Sequence, residues 1–261
     1  MSDWSRAALP EQRPEPGPEH EAPFPDDARY PFWGYDDLAL FVGAALPCAL
    51  VSLLVVAVLP SVLPASSGRA LPLLLGQFTG YALWFTALYL ILKVRYGRPF
   101  WTSLSWSSSK RGMALSFMLG PAVALGMAIL GVMLRAPETP TPMNELLRDR
   151  GSVFAMGVFA TTMGPLCEEL AFRGFLLPLL ARSFGNAAAV VLAALPFALL
   201  HGPQYSWSWV HVVLVGAAGV CFGLARLWTR STAAAAGMHA TYNLTFFSAF
   251  LIQGGYTLNP W

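Results

Sequence analysis

The chain has 261 residues, of which 56% are hydrophobic and only 11% charged, with a net charge of +2. Soluble domains carry about 25% charged residues, so this composition excludes an ordinary soluble globular protein. The small net charge, with no basic patch interleaved with aromatics, excludes a nucleic-acid partner. The three cysteines, Cys48, Cys167 and Cys221, all sit in apolar runs without a CxxC spacing, so they read as small apolar residues and not as a disulfide framework.

Residues 1–31 hold seven prolines, seven acids and three arginines, a composition that buries no core and reads as a disordered acidic tail. No apolar h-region follows a basic start there, so the first span is expected to act as its own insertion signal. Beyond the tail, runs of about 20 apolar residues recur, each long enough to cross the ~30 Å hydrocarbon of a bilayer as a helix. Spans are read at 36–59, 71–94, 112–134, 152–172, 187–201, 208–228 and 232–252, with kinks at Pro47, Pro121, Pro165 and Pro196. Between the third and fourth lies a Pro/Thr-rich loop with a short helix around Asn144–Arg150. The fold class is therefore all-α, a polytopic transmembrane helical bundle of about seven to eight spans with a disordered N-terminal tail. Its divisions are the tail at 1–31, N-terminal transmembrane helices at 32–149, a helical core at 150–252 and a C-terminal tail at 253–261. Eight Lys and Arg fall in the connections on one side and four on the other, which places the N-terminus in the cytoplasm.

After Asp149 only two acids occur, the adjacent Glu168 and Glu169 in Gly-Pro-Leu-Cys-Glu-Glu-Leu-Ala-Phe-Arg173. An ionisable group near the bilayer centre costs roughly 2.5–3.5 kcal/mol on insertion scales, so a pair there calls for a reason. Snorkelling at a helix end is the plain alternative, and the apolar surface that continues after Arg173 argues against it. Consecutive helical residues diverge by about 100°, which gives the two carboxylates different roles. Glu169 stands four residues before Arg173, the favourable order for a helical ion pair. Glu168 has no such partner and is the candidate general base.

Two histidines fall in the same half. His201 closes the Phe197-Ala-Leu-Leu-His201 stretch, and His239 lies four residues before Asn243, so one helix face carries both. Glu168 with His201 would orient and deprotonate a water, while His239 and Asn243 would donate to the oxyanion formed on an attacked carbonyl. Singly, each has a plain reading as a helix–helix hydrogen-bond partner; His211, behind Trp207 and Trp209, is assigned to that class. There is no HExxH zinc motif and no GxSxG serine motif. At ~1.5 Å per residue, Glu168 and His201 as placed above would lie ~10–15 Å apart in depth, a tension inside the span assignment.

Taken in order, Glu168-Glu169-xxx-Arg173, Phe197-xxx-His201 and His239-xxx-Asn243 resemble the three motifs of the CPBP family, which includes type II CAAX prenyl endopeptidases. The resemblance covers about residues 150–252. It implies catalytic Glu168, His201, His239 and Asn243, with Glu169, Arg173 and Phe197 in support, inside a helical bundle around a conical cavity. No cofactor is expected. Zinc on Glu168, His201 and His239 stays the alternative, since the family has also been read as metal-dependent.

The function so implied is intramembrane cleavage of a membrane-associated protein or peptide, such as C-terminal processing or removal of a sorting signal. The Ala/Pro-rich composition points to a bacterial inner membrane, where prenylated substrates are generally lacking. A partner protein that presents the substrate is a further expectation held open. The alternatives are a non-catalytic scaffold or bacteriocin-immunity-type protein, and a proton-coupled carrier. The N-terminal spans offer few polar residues for a carrier, Gln77 and Thr79 among them.

Overall fold

The computed structural model describes residues 30–64, 68–107, 110–137, 146–147 and 149–254. The tail up to residue 29, residues 144, 145 and 148 of the short helix read around Asn144–Arg150, and the C-terminal tail beyond residue 254 lie outside these residues. The described residues form an all-α membrane bundle with no strand. Helix α1 spans Tyr35–Val58 and α2 spans Ala70–Leu90, ending in a π turn at Ile91–Arg95. A single turn, α3, covers Phe100–Ser103, and α4 runs over Lys110–Met133. Helix α5 covers Arg150–Thr161; α6, Met163–Glu169, passes through a π segment, Leu170–Leu176, into α7, Leu177–Phe184. Then come α8 at Asn186–Leu200, α9 at Trp209–Thr229 and α10 at Thr232–Ile252.

Four of these, α1, α2, α4 and α9, are long and apolar enough to cross a membrane on their own. The most apolar stretch of α1 has a mean hydropathy of 2.6 with none of it buried in the protein. A helix apolar all round and open to its surroundings needs lipid as its solvent. Helices α1 and α2 form a hairpin in which Trp84 stacks on Phe41 at 4.4 Å and donates its indole N–H to the Phe41 carbonyl at 2.6 Å.

The fourth crossing differs from the sequence reading. Instead of 152–172, the traverse runs from Arg150 to Phe184, broken once at Thr162 (φ −129°, ψ −79°). Pro165 explains the break: without an N–H, and with its ring against the carbonyl four residues back, it is accepted in the first turn of a new helix but not inside an old one. At its start Ser152 Oγ accepts from the Ala70 N–H at 2.8 Å. At its finish Ser183 Oγ accepts from the Tyr35 hydroxyl at 2.7 Å. The traverse thus joins the far end of the α1–α2 hairpin to its near end. Residues 174–184, read as a connection, are helix inside the bundle.

This resolves the depth tension. The chain reverses at Gly185, and Glu168 lies 17 residues before that turn while His201 lies 16 after it. Two antiparallel helical arms of nearly equal length return the two side chains to one level. Residues 30–33, of which Tyr30 and Pro31 were counted with the tail, already belong to the bundle. Trp33 is fully buried, stacks on Phe175 at 5.2 Å and donates to the Phe175 carbonyl at 3.2 Å.

Gly185 sits at φ +78°, ψ 162°, a region open essentially to glycine alone. We expect Gly185→Val to lower stability by about 1–3 kcal/mol, read as a shift in thermal unfolding of the detergent-solubilised protein. An unshifted transition would mean that the turn does not set the length of the two arms.

Candidate active site

Four segments meet at mid-height of the bundle: the α6–π junction with Glu168, Glu169 and Arg173; the end of α8 with Phe197 and His201; the middle of α9 with Gly219 and Phe222; and α10 with His239 and Asn243. Helical divergence separates the adjacent glutamates as the sequence suggested. Glu169 is fully buried; its Oε1 accepts from Arg173 Nη1 at 2.8 Å and faces His239 Nδ1 at 2.9 Å. Glu168 points the other way, into a cavity of about 430 Å³.

The Arg173 guanidinium is also fully buried. It donates through Nη2 to the Gly219 carbonyl at 2.7 Å and lies over the faces of Phe197 (4.5 Å), Phe222 (5.4 Å) and Phe172 (5.9 Å). This cation–π box explains how a cation is held away from water. A Cβ on Gly219 would meet Phe197 Cδ1 at 3.0 Å and Arg173 Nη2 at 3.2 Å, so the close approach of α9 needs a glycine here. The π segment Leu170–Leu176 starts directly after Glu169 and carries Arg173, an irregularity frequent at functional sites. Glu169 Oε2 and Arg173 Nε have no hydrogen-bond partner among the described residues.

The histidine tautomers follow from their partners. His201 Nδ1 lies 2.8 Å from the Phe197 carbonyl, which only accepts, so Nδ1 carries the proton. His239 Nδ1 faces the Glu169 carboxylate and is likewise the donor. Both imidazoles therefore turn Nε2 toward Glu168, each 3.8 Å from the same Oε2. That separation exceeds a direct hydrogen bond, which spans about 2.7–3.2 Å. The His239 ring is fixed further by stacking on Phe222 at 4.5 Å and 18°.

The structure brings together Glu168, His201 and His239, with Glu169, Arg173 and Phe197 packed behind them. Phe197, expected as a supporting residue, is the hub: its ring lies beside His201 (4.6 Å), Phe172 (5.3 Å) and His239 (5.8 Å) and under Arg173. Asn243 follows His239 by four residues, and its Nδ2 donates to the Ala160 carbonyl at 2.7 Å, one of the last four carbonyls of α5. One amide proton is thus engaged, and the other has no hydrogen-bond partner among the described residues. His211 stands outside this set, stacked on Tyr205 at 4.9 Å and bonded to Ser208 Oγ at 2.9 Å. As for zinc, Glu168, His201 and His239 share one volume, but no group of three or more His, Cys, Asp or Glu among the described residues is spaced to hold a metal ion.

Several contributors were not picked out from the sequence: the Gly219 carbonyl, Phe222, Ala160, and the α1–α2 wall of the cavity. The Gly216, Gly219 and Gly223 stripe on α9 was the available signal, since small residues at such spacing mark close helix approach.

Such a fold and site define a membrane-embedded helical protein with a polar Glu/His centre enclosed by apolar helices. Residues 150–245 match the family model described as type II CAAX prenyl endopeptidase Rce1-like. That segment carries every motif residue, and the match supports a CPBP-family assignment and an intramembrane-peptidase kind of function. No curated protein and no solved structure matches the chain.

Removing one partner of a buried ion pair strands the other charge, at a cost of about 3–5 kcal/mol. We expect Arg173→Met to unfold the protein in mild detergent, judged by size-exclusion and thermal unfolding, and Arg173→Met with Glu169→Gln to recover part of the loss. Equal stability of the two variants would show that the pair is not coupled.

Proposed function

We propose that this protein is an intramembrane endopeptidase that hydrolyses a peptide bond of a membrane-associated protein or peptide. The observation that carries the reading is the convergence of His201 Nε2 and His239 Nε2 on one oxygen of Glu168, each held by its own Nδ1 bond.

A water between Glu168 and His201 gives one proton to the Glu168 carboxylate and a hydrogen bond to His201 Nε2 as its oxygen attacks the carbonyl carbon. The negative charge that develops on the carbonyl oxygen is met by the second Nδ2 proton of Asn243 and by His239 when it carries a proton on Nε2 as well as on Nδ1. Glu169 against Nδ1 stabilises that imidazolium, as a buried carboxylate does behind a catalytic histidine. When the C–N bond breaks, the carbonyl re-forms, Glu168 returns its proton to the leaving nitrogen, and a carboxylic acid and an amine result; the acid's proton then passes to the amine, leaving carboxylate and ammonium. Arg173 neutralises Glu169 and keeps Glu168 from facing a second uncompensated charge.

The wider assignment is a bacterial inner-membrane enzyme with its N-terminus in the cytoplasm, following the Lys/Arg asymmetry. Its substrates are membrane-associated chains processed near a terminus or at a sorting signal, with or without a presenting partner protein. No step is routed through a metal; Glu168, His201 and His239 would be the residues to hold zinc, which would supply Lewis-acid activation of the water.

Quantitative comparison of membrane-protein termini between source cells carrying wild-type and Glu168→Gln protein at equal abundance tests this. We expect specific new termini that fall at least about 100-fold in the variant, the usual contribution of a positioned general base. Unchanged termini would leave the non-catalytic scaffold. In proteoliposomes we expect the same cleavage to persist with a strong zinc chelator; its loss, and restoration by zinc alone, would assign Glu168, His201 and His239 as ligands.

A further inference from the structure

The cavity that receives Glu168 is not built by the family-matched segment alone. On one side it is lined by Cys167, Glu168, Phe172 and His201, and on the other by residues of the α1–α2 hairpin, among them Ser52, Gln77, Tyr81 and Trp84. The hairpin wall is apolar except for a few groups, among them Tyr81. Its ring stacks on Phe159 at 6.2 Å and 16° and meets Phe85 edge-on at 6.5 Å. Its oxygen accepts from Gln77 Nε2, one turn earlier, at 3.1 Å. The phenolic proton is therefore left to donate, and no acceptor bonds to it among the described residues.

A peptide bond can be attacked only where the chain has left the helix, because helical carbonyls are hydrogen-bonded and shielded. In a lipid-filled or apolar setting each unwound N–H or C=O needs a partner, at several kcal/mol otherwise. The catalytic set serves the scissile carbonyl; the neighbouring peptide units need donors and acceptors of their own. Tyr81, fixed by two rings and oriented by Gln77, is a donor in the same cavity as Glu168.

Resting on the peptidase reading, we propose that Tyr81 is a substrate-binding residue, its hydroxyl donating to a backbone carbonyl of an uncharged, extended peptide segment laid along the hairpin wall beside the scissile bond. The aromatic and small residues of that wall, Trp84 and Phe85 against Ala45 and Ala49, fit apolar side chains and offer nothing to a charged one. The hairpin, outside the matched family segment, thereby contributes to substrate selection.

The test reads binding without turnover. Full-length protein carrying Glu168→Gln is placed in phosphatidylcholine/phosphatidylglycerol vesicles. It is titrated with a dansyl-labelled peptide of about 20 Leu and Ala residues, interrupted by a central Gly-Pro that keeps the middle unwound. We expect saturable binding that Tyr81→Phe, which keeps both ring contacts, weakens about 10-fold, the scale of one hydrogen bond lost in an apolar site. Leu83→Phe, on an exposed position of α2, should leave Kd within about twofold, as surface changes usually do. An unchanged Kd in Tyr81→Phe, or no saturable binding by the parent, overturns the proposal. Failure of the peptidase reading looks different: termini unaffected by Glu168→Gln while Tyr81→Phe still weakens binding.

Discussion

The buried Glu169–Arg173 pair is the constraint around which the rest of the site is arranged. Two full charges at the centre of an apolar bundle persist only if every neighbour helps to compensate them. Here the compensation comes from an ion pair at 2.8 Å, a backbone carbonyl of α9, three aromatic faces and an imidazole N–H. Those contacts reach α8, α9 and α10 from one turn of the π segment, so satisfying the charges fixes the mutual placement of the helices. His239 is a product of the same arrangement: bonded to Glu169 through Nδ1, it has only Nε2 to offer toward Glu168. One glutamate organises, which leaves its neighbour free to act.

The bent fourth traverse serves the same end. Pro165 forces a new helix start just before the glutamates, the π segment widens the turn that carries Arg173, and the Gly185 reversal measures two equal arms. Break, widening and turn together place Glu168 level with His201 in a layer that neither helix end would reach if both ran from surface to surface. This geometry also weighs against a carrier. Glu168, Glu169, Arg173, His201 and His239 cluster at one place, and the first crossing, α1, turns its most apolar stretch outward with none of it buried.

Much of this was legible in the sequence, and for identifiable reasons. Charge scarcity made the membrane class plain, and Glu168 and Glu169 stood out as the two acids in the 112 residues after Asp149. The four-residue spacings Glu169–Arg173, Phe197–His201 and His239–Asn243 each correspond to a real shared helix face. What misled was the fourth crossing. Hydropathy marks where a chain is apolar but not whether a helix pauses and resumes, so Pro165 was read as a kink and residues 174–184 as a connection. The Gly219 carbonyl and the Phe222 stack depend on which face of α9 meets Arg173, which a nearly uniformly apolar helix does not announce. The α1–α2 wall was invisible because Tyr81 and Gln77 gain meaning only from the helices they face.

The claim at the centre of this account is that Glu169 holds His239 by Nδ1 and that His201 is held the same way, so that both rings turn Nε2 to Glu168. With only four histidines in the chain, ¹⁵N-histidine solid-state NMR of the protein in lipid bilayers can assign each ring by single substitution. The account requires a protonated Nδ1 on both His201 and His239, and on His239 a change in that signal when Glu169 becomes Gln. A neutral Nε2–H tautomer at His239, indifferent to Glu169→Gln, would contradict it.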